Sequence, residues 1–404
     1  MIPLVFYVVI FLILPGTLTL ERKLTTVVNP GCDSACDEVI LVHVRADGPN
    51  DTIHYLWGFL GKPTIWFAMT RPTTNLTIDW DTLLWKNERA VHFSEPPIYS
   101  FGAMFNKLWE FNDAADAGYL NLSDTGPGYR REYDLRDFNW RVAEVKHDVE
   151  SAVLYVAGSQ YFLPGRVLGG SIRFKIAAYG SEDREPSLPR LLHTANSSQV
   201  DVALDGLATN SSFPSARFAV DLVLVSDDGR NSSMLLESYK SLDDENTPGV
   251  FTMVDLQTAS SGTARGGGYL QWRPVAYVSR QRDLSNSTDA HSYQLNDVPR
   301  PSGVLNNTLM YAVYAYALDT PAVLAQEAVV SFGLKEDGFY KKTNFTSWTF
   351  TIGYGHPPHE DFSLLVIMII SIGLGLPGII IIITCIVMVV RRLSRNDDDL
   401  FLGR

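Results

Sequence analysis

Residues 362–390 read FSLLVIMIISIGLGLPGIIIIITCIVMVV, an uncharged and overwhelmingly apolar run that ends against Arg391, Arg392 and Arg395. At about 1.5 Å per residue a helix of this length reaches roughly 43 Å, and about 20 apolar residues already span a bilayer. A buried core helix is the alternative, but it would normally be shorter and interrupted by polar residues. The run therefore predicts a single C-terminal transmembrane helix, with the lipid bilayer as one partner of the chain.

Basic residues flank this span on one side only. No Lys or Arg occurs from Thr343 to Asp361, whereas the arginine cluster follows Val390 directly. Because the cytosolic flanks of membrane helices carry the excess of Lys and Arg, residues 391–404 are predicted to be a cytosolic tail. Everything before the span is then luminal, which is a single-pass type I arrangement.

The amino terminus, residues 1–19, is predicted to be a secretory signal peptide. Leu4–Leu14 is apolar, a helix-breaking Pro-Gly pair follows, and Thr17 and Thr19 are small enough for a cleavage site. An uncleaved anchor is the alternative, because the segment before the apolar run contains no Lys or Arg. In both cases residues 20–361 are delivered to the exocytic lumen.

Nine Asn-x-Ser/Thr sequons lie between the two apolar segments, several times more than this composition would produce by chance. A sequon accepts an N-linked glycan only on the luminal side and on accessible backbone. The pattern therefore predicts a densely glycosylated luminal domain. The acceptor residues are Asn50, Asn75, Asn121, Asn196, Asn210, Asn231, Asn286, Asn306 and Asn344.

The chain contains three cysteines and carries a net charge of −12. Cys32 and Cys36 are predicted to form a disulfide in the oxidising lumen, whereas Cys385 lies within the span and cannot pair with them. Nucleic acid is excluded as a partner, since its phosphate backbone needs a cationic protein face.

Hydrophobic alternation in the luminal region predicts a mainly β fold. We expect an antiparallel β-sandwich of one or two packed units, with a conceivable boundary near Pro186–Leu192. A hairpin is predicted around the turn at Gly61, and one helix is predicted at Phe101–Asp113 from its 3.6-residue periodicity. The predicted strands are Glu38–Arg45, Thr52–Leu60, Pro63–Thr70, Ser151–Phe162, Gly170–Tyr179, Gln199–Leu204, Arg217–Ser226, Tyr269–Arg280, Leu309–Asp319, Glu327–Leu334 and Ser347–Tyr354.

Two motifs resemble cofactor-binding or metal-binding sites, but the surrounding sequence excludes both interpretations. Gly373-x-Gly375-x-x-Gly378 matches a dinucleotide fingerprint but lies inside the span, where no βαβ unit can form. His356-Pro-Pro-His359 lacks the helical presentation of zinc sites and is interpreted as a juxtamembrane linker. His54 is interpreted as a core histidine. The sequence therefore predicts a non-enzymatic protein with no catalytic residue, metal or cofactor.

The span itself presents a candidate docking face. Ser371, Gly375 and Gly378 are spaced i, i+4 and i+7, so they lie on one side of the helix. Small residues allow two membrane helices to approach closely, and packing then drives their association. The alternative is a lipid-facing helix that merely tolerates glycines.

Several motifs resemble the glycosylated lysosomal membrane protein family across the luminal region and the span. The most distinctive is Gln271–Tyr277, which reads QWRPVAY. The others are His54–Trp57 (HYLW), Asp137–Trp140 (DFNW), Arg190–Ala195 (RLLHTA), Asp243–Glu245 (DDE), Ser347-Trp348, Gly353-x-Gly355-x-Pro357-Pro358 and Gly375–Gly378 (GLPG).

This resemblance implies a type I lysosomal membrane protein that acts as an accessory subunit. Its partner would be a lysosomal major-facilitator transporter that exports dipeptides. The subunit would stabilise this transporter in the membrane and shield it from luminal proteases. The alternatives are a membrane-anchored luminal hydrolase and a cell-surface receptor or adhesion glycoprotein.

Two features depart from the vertebrate pattern of that family. Vertebrate members carry several luminal cysteines, whereas this chain has only Cys32 and Cys36. They also end in a tyrosine-based sorting tail, whereas residues 391–404 contain no tyrosine. Asp397–Leu402 loosely resembles an acidic dileucine signal, so that segment or the partner is the candidate determinant of lysosomal delivery.

Overall fold

The computed structural model describes residues 21–32, 36, 39–86, 88–126, 128–163, 166–241, 246–261, 263–301, 303–359 and 364–401. The predicted signal peptide, the Asp243–Glu245 motif and residues 402–404 of the predicted tail lie outside this description. The described residues up to Pro358 form one compact unit, which is not divided at Pro186–Leu192, and those from His359 form a second unit.

The first unit consists mainly of antiparallel strands, and the second contains one long helix. The helices are α1 Trp80–Trp85, α2 Leu309–Tyr314, α3 Phe339–Thr343 and α4 Leu364–Phe401. The strands are β1 Lys23–Val28, β2 Leu41–Asp47, β3 Thr52–Gly58, β4 Thr64–Thr70, β5 Leu76–Ile78, β6 Val91–Phe93, β7 Tyr99–Asn112, β8 Arg130–Asp134, β9 Asn139–His147, β10 Ser151–Leu163, β11 Arg166–Tyr179, β12 Asp183–Arg184, β13 Leu192–His193, β14 Ser197–Asp205, β15 Ala216–Ser226, β16 Leu235–Lys240, β17 Thr252–Gln257, β18 Gly268–Trp272, β19 Val275–Tyr277, β20 Ser287–Ser292, β21 Asn296–Asp297, β22 Leu324–Phe332 and β23 Phe345–Tyr354.

The strands form two large antiparallel sheets. The first, here called sheet I, has the order β1-β2-β3-β4-β7-β15-β22, with β8 beside the second half of β7. The second, sheet II, has the order β9-β10-β11-β14-β23-β18-β17-β16. Strand β20 pairs with β19 next to sheet II and with β22 of sheet I, so it joins the two sheets on one side.

The main hydrophobic core lies between the two sheets. The ring of Phe105 from sheet I meets that of Phe174 from sheet II, with 4.8 Å between their centroids. Trp348 and Phe350 of β23 are buried in the same cluster. Such face-to-face packing of antiparallel sheets confirms the predicted sandwich and its mainly β class. The hairpin predicted around Gly61 is also confirmed, as β3 and β4.

A third layer covers the outer face of sheet I. Helix α2 packs there, and the indole of Trp66 on β4 donates a 3.1 Å hydrogen bond to the hydroxyl of Tyr314. Leu309 and Met310 belong to the same buried cluster as Trp66. Strands β3 and β4 are therefore buried along their whole length, because both of their faces are covered.

The helix predicted at Phe101–Asp113 is wrong, because this segment is strand β7. A bulge against β15 explains the misleading periodicity: Phe105 pairs with Leu222 and Lys107 with Asp221, which leaves Asn106 as an extra residue. Before the bulge the odd-numbered residues Phe101 and Phe105 face the core. The extra residue shifts the alternation by one, so after the bulge the even-numbered Leu108 faces the core. The apolar spacings of four and three residues arise from this change and not from a helix.

The strand predicted at Leu309–Asp319 is also wrong, since it forms helix α2 and a following 3-10 helix. The hydroxyl of Thr308 caps the helix by accepting a 3.4 Å hydrogen bond from the Tyr311 amide. Five of the six helical residues are buried. A short helix that is apolar on nearly all sides has no periodic contrast, so its sequence does not distinguish it from a strand.

Ion pairs of the buried Arg217 side chain connect loops at one end of sheet I. The Arg217 side chain is 2% exposed and lies between three carboxylates. Its Nε is 2.8 Å from Asp113, its Nη2 is 2.7 Å from Asp116 and its Nη1 is 2.6 Å from Asp337. The guanidinium therefore joins the loop after β7 to the segment before α3, because it contacts all three carboxylates at once.

Candidate functional site

Helix α4 carries the predicted span. Its segment Ile367–Arg392, 26 residues long, is long and apolar enough to cross a membrane. Ser371, Gly375 and Gly378 share one face of this continuous helix, and Pro377 lies within it. The hydroxyl of Thr384 donates a 2.7 Å hydrogen bond to the carbonyl of Ile380, which satisfies a polar group in an apolar helix. Whether the small-residue face docks a partner stays a prediction.

The sequons are spread over turns and strand ends of the first unit. Five acceptor side chains are exposed and four are partly buried. The exposed ones are Asn50, Asn75, Asn121, Asn231 and Asn344, and the partly buried ones are Asn196, Asn210, Asn286 and Asn306. Occupancy of all nine stays a prediction, and the exposed acceptors meet the requirement for accessible backbone.

Asn210 differs from the other acceptors. Its Nδ2, the atom that a glycan would modify, is enclosed and has no hydrogen-bond partner among the described residues. Its own backbone amide donates a 2.6 Å bond to the buried carboxylate of Glu110, and its Oδ1 accepts from the Ser212 amide at 3.1 Å. We therefore expect Asn210 to be the predicted acceptor that is least accessible to a glycan once this loop has folded.

The structure pairs Cys32 with Cys36 in a disulfide. Asn29 fixes the same loop: its Nδ2 donates to the Val39 carbonyl, and its Oδ1 accepts from the Leu41 amide, both at 2.9 Å. Cys385 is a free and exposed residue of helix α4. The bridge therefore closes the connection between β1 and β2.

His54 is fully buried and pairs with His43, whose side chain is half-buried. Its Nδ1 is 3.0 Å from Nε2 of His43, and the planes of the two rings differ by 5°. Burial, aided by the charge of Arg45, lowers the pKa of His43 to about 4, against the opposing effect of Asp47. Burial, then His43 and Arg45, lower the pKa of His54 to about 3. Such weakly basic, neutral side chains are poor general bases, so the core interpretation of His54 is favoured.

A polar network, which the sequence analysis missed, lies beside a cavity of about 320 Å³ lined by Trp66, Tyr314 and Asp227. The Ser100 amide and hydroxyl donate to the Asp227 carboxylate at 2.9 and 2.8 Å. The Ser100 hydroxyl also lies 2.8 Å from the Tyr314 hydroxyl. Burial raises the pKa of Asp227 to about 6, although Ser100 and Arg265 oppose the shift. Because these groups bond to one another, they stabilise the junction of sheet I and α2. This carboxylate belongs to the segment Asp227-Asp228-Gly229, which directly follows β15.

The QWRPVAY motif contacts Pro358, the last residue of the first unit. The Gln271 side chain is buried, and its Nε2 donates 3.0 Å hydrogen bonds to Asp255 Oδ1 and to the Pro358 carbonyl. His356 and His359 are exposed. The described residues contain no group of three or more His, Cys, Asp or Glu side chains placed to hold a metal ion. The motif therefore attaches the end of the first unit to sheet II.

A family model and several relatives match most of this chain. A family model described as glycosylated lysosomal membrane protein matches residues 40–395. The glycosylated lysosomal membrane protein B of Xenopus laevis is 34% identical over 382 residues, covering 92% of this chain and 91% of the relative. The relative from Danio rerio is 29% identical over 383 residues, covering 92% and 90%. The relative from Homo sapiens is 28% identical over 355 residues, covering 84% and 81%.

A solved structure also aligns with the chain. This galactose 1-epimerase from Lactobacillus acidophilus NCFM gives a TM-score of 0.33 at 9% identity, covering 83% of this chain and 100% of that one. A likeness this weak supports no statement about fold or activity. The family model, by contrast, covers most of the chain, and the resemblance seen in the motifs is confirmed. The protein therefore belongs to the glycosylated lysosomal membrane protein family.

Proposed function

We propose that this protein is a non-enzymatic accessory subunit of a lysosomal major-facilitator transporter that exports dipeptides. It is a single-pass type I protein whose β domain lies in the lysosomal lumen. The subunit stabilises the transporter in the membrane and shields it from luminal proteases.

The observation that carries this proposal is the combination of family membership with one apolar helix and one large β domain. A single helix cannot enclose a transport pathway, so a role in transport requires a polytopic partner. Two features of the β domain support the shielding role. Its strands are tied into two large sheets, and its exposed acceptors Asn50, Asn75 and Asn121 offer sites for a glycan cover.

The proposal is tested by gentle detergent extraction of the full chain from lysosomal membranes, followed by identification of what co-purifies. We expect a polytopic major-facilitator transporter at a fixed ratio. Deleting this protein should lower transporter abundance, and inhibitors of luminal proteases should restore it. Recovery of no polytopic protein, together with unchanged transporter abundance in the deletion, would refute the proposal. Turnover of a substrate by the purified luminal domain would favour a hydrolase instead.

The contribution of helix α4 is tested separately. Replacing both Gly375 and Gly378 with Leu should weaken transporter association, because the added side chains keep the two helix backbones apart. Gly373→Leu is the matched control, since Gly373 lies on roughly the opposite side of the helix at 100° per residue. Equal co-purification of all variants would place the contact in the luminal domain.

A further inference from the structure

The β sandwich has an open side with a groove of about 670 Å³. The first wall of this groove is the end of β1 and the loop that leads into β2, including Val28 and Ile40. The second wall is Phe138–Val142 at the start of β9. Phe59, in the turn between β3 and β4, lies between them, and its ring is 5.3 Å from that of Trp140. The groove therefore lies between an edge strand of sheet I and an edge strand of sheet II.

Both edge strands expose apolar side chains at this groove. Strand β1 pairs along one edge with β2, and β9 pairs along one edge with β10. Val28 is 45% exposed and Val142 is 41% exposed. An open edge can recruit another strand, and charges and bulges limit this. In β9 the bulge at Ala143 and the charges of Glu144 and Lys146 lie in the second half of the strand, whereas the groove lies at its first half, up to Val142. The opposite side of the sandwich is bridged by β20, whereas on this side β1 meets sheet II near its start, where the Leu24 amide donates a 3.0 Å hydrogen bond to the Val149 carbonyl, and the groove lies at its other end beside Val28.

The distribution of sequons singles out the same side. No sequon occurs between Asn121 and Asn196, a stretch that contains β8, β9, β10 and β11. Elsewhere between Asn50 and Asn344 the sequons follow one another more closely. Asn306 lies at the rim, where its carbonyl accepts a 3.1 Å hydrogen bond from Arg136. Strand β9 itself therefore carries no predicted acceptor, and Asn306 is the one that lies beside the groove, so a protein partner can reach the β9 edge.

The charge of the groove restricts its occupant. The described residues that line it include Arg136 and Arg141 but no carboxylate, although the whole chain has a net charge of −12. Both arginines are exposed. An occupant that carries Asp or Glu gains favourable electrostatics here, whereas a basic one does not.

We infer that this groove binds an extended luminal segment of the partner protein, which adds as a strand to β9. The segment has apolar residues on the side that faces Val28, Phe59 and Trp140, and a carboxylate that meets Arg141. Main-chain hydrogen bonds supply affinity, and the alternate side chains supply specificity, as in other cases of strand addition. A segment of about five residues, roughly 17 Å long, is the usual length of a strand. The inference rests on the proposed function, since the partner is the transporter named there.

A glycan placed in the groove tests the inference in the full-length protein in membranes. Arg141→Asn with Ala143→Thr creates a sequon on β9, where all three residues from 141 to 143 are exposed. Leu235→Asn with Glu237→Thr creates the matched sequon on β16, the opposite edge strand of sheet II. We expect the β9 glycan to reduce co-purified transporter by about tenfold or more and the β16 glycan to leave it unchanged. Val142→Asp against Leu235→Asp repeats the comparison without depending on glycosylation.

The outcomes separate this inference from the proposed function. If the wild-type protein retains the transporter and both β9 variants retain it equally, the groove inference is overturned and the proposed function stands. If the wild-type protein recovers no transporter, both fail. A photo-reactive phenylalanine analogue in place of Val142 should cross-link to a luminal segment of the transporter. Cross-linking to a second copy of this chain or to lipid would overturn the inference.

Discussion

Acidification should destabilise this domain through its histidine pair, and replacing His43 should reduce that effect. In the folded protein burial and Arg45 lower the pKa of His43 from its ordinary value of 6.5 to about 4. The unfolded chain therefore takes up a proton below pH 6.5, whereas the folded protein does not until about pH 4. Because the unfolded state binds more protons in that window, the stability is present above pH 6.5 and is lost as the pH falls toward 4.

The size of this effect follows from the two pKa values. Between pH 7 and pH 5 His43 removes about 2 kcal/mol from the free energy of unfolding, and by pH 4 about 3 kcal/mol. The pKa of His54 is lower still, at about 3, so it contributes in the same direction over a wider range. The two rings are 3.0 Å apart, so the first proton is shared by the pair and a second proton meets its charge.

The assay is denaturant unfolding of the full-length protein in detergent, followed by tryptophan fluorescence at pH 7, 6, 5 and 4. His43→Gln, whose amide can still donate to His54, should lose about 2 kcal/mol less than the wild-type protein between pH 7 and pH 5. His92→Gln is the control, because His92 is exposed. Parallel pH profiles for the wild-type protein and His43→Gln would show that the pair does not titrate as its burial requires.

Three further predictions follow from buried or enclosed polar groups. Asp227 has its pKa raised to about 6, so the folded state takes up a proton below that pH and gains about 1 kcal/mol at pH 5. Asp227→Asn should remove this acid-dependent gain in the same unfolding series, and an unchanged profile would contradict it. Arg217→Met leaves three carboxylates without their cation and should cost about 3–5 kcal/mol, seen as a lower melting temperature. A melting temperature equal to that of the wild-type protein would contradict this. Asn210→Gln should leave the mobility of the glycoprotein on a gel unchanged, because Nδ2 is enclosed, whereas Asn121→Gln should increase it. A larger mobility for Asn210→Gln would show that this loop opens during modification.

The sequence predicted strands best where only one face of a sheet is buried. In β11 the side chains of Ile172, Phe174 and Ile176 are buried and Arg173 is exposed, so alternation reports the strand directly. In β3 every residue is buried, so its sequence shows a strand-length apolar run but not what covers its second face. The layer formed by α2 was therefore missed, and its own sequence lacked periodic contrast for the same reason.

The candidate sites fall into two groups: those encoded in one short stretch of sequence and those assembled from distant residues. A sequon, a disulfide loop and a membrane span are each encoded in a short stretch, so they can be proposed from local sequence. The groove beside β9 is assembled from Val28, Ile40, Phe59 and Trp140, which only the strand order of two sheets brings together. No window of the sequence contains that arrangement. The feature of the sequence that relates to the groove is the absence of sequons between Asn121 and Asn196. This absence becomes informative when β9 is known to be an edge strand. A long gap between predicted glycan acceptors thus supports an inference about partners, provided that the topology shows which surface the gap exposes.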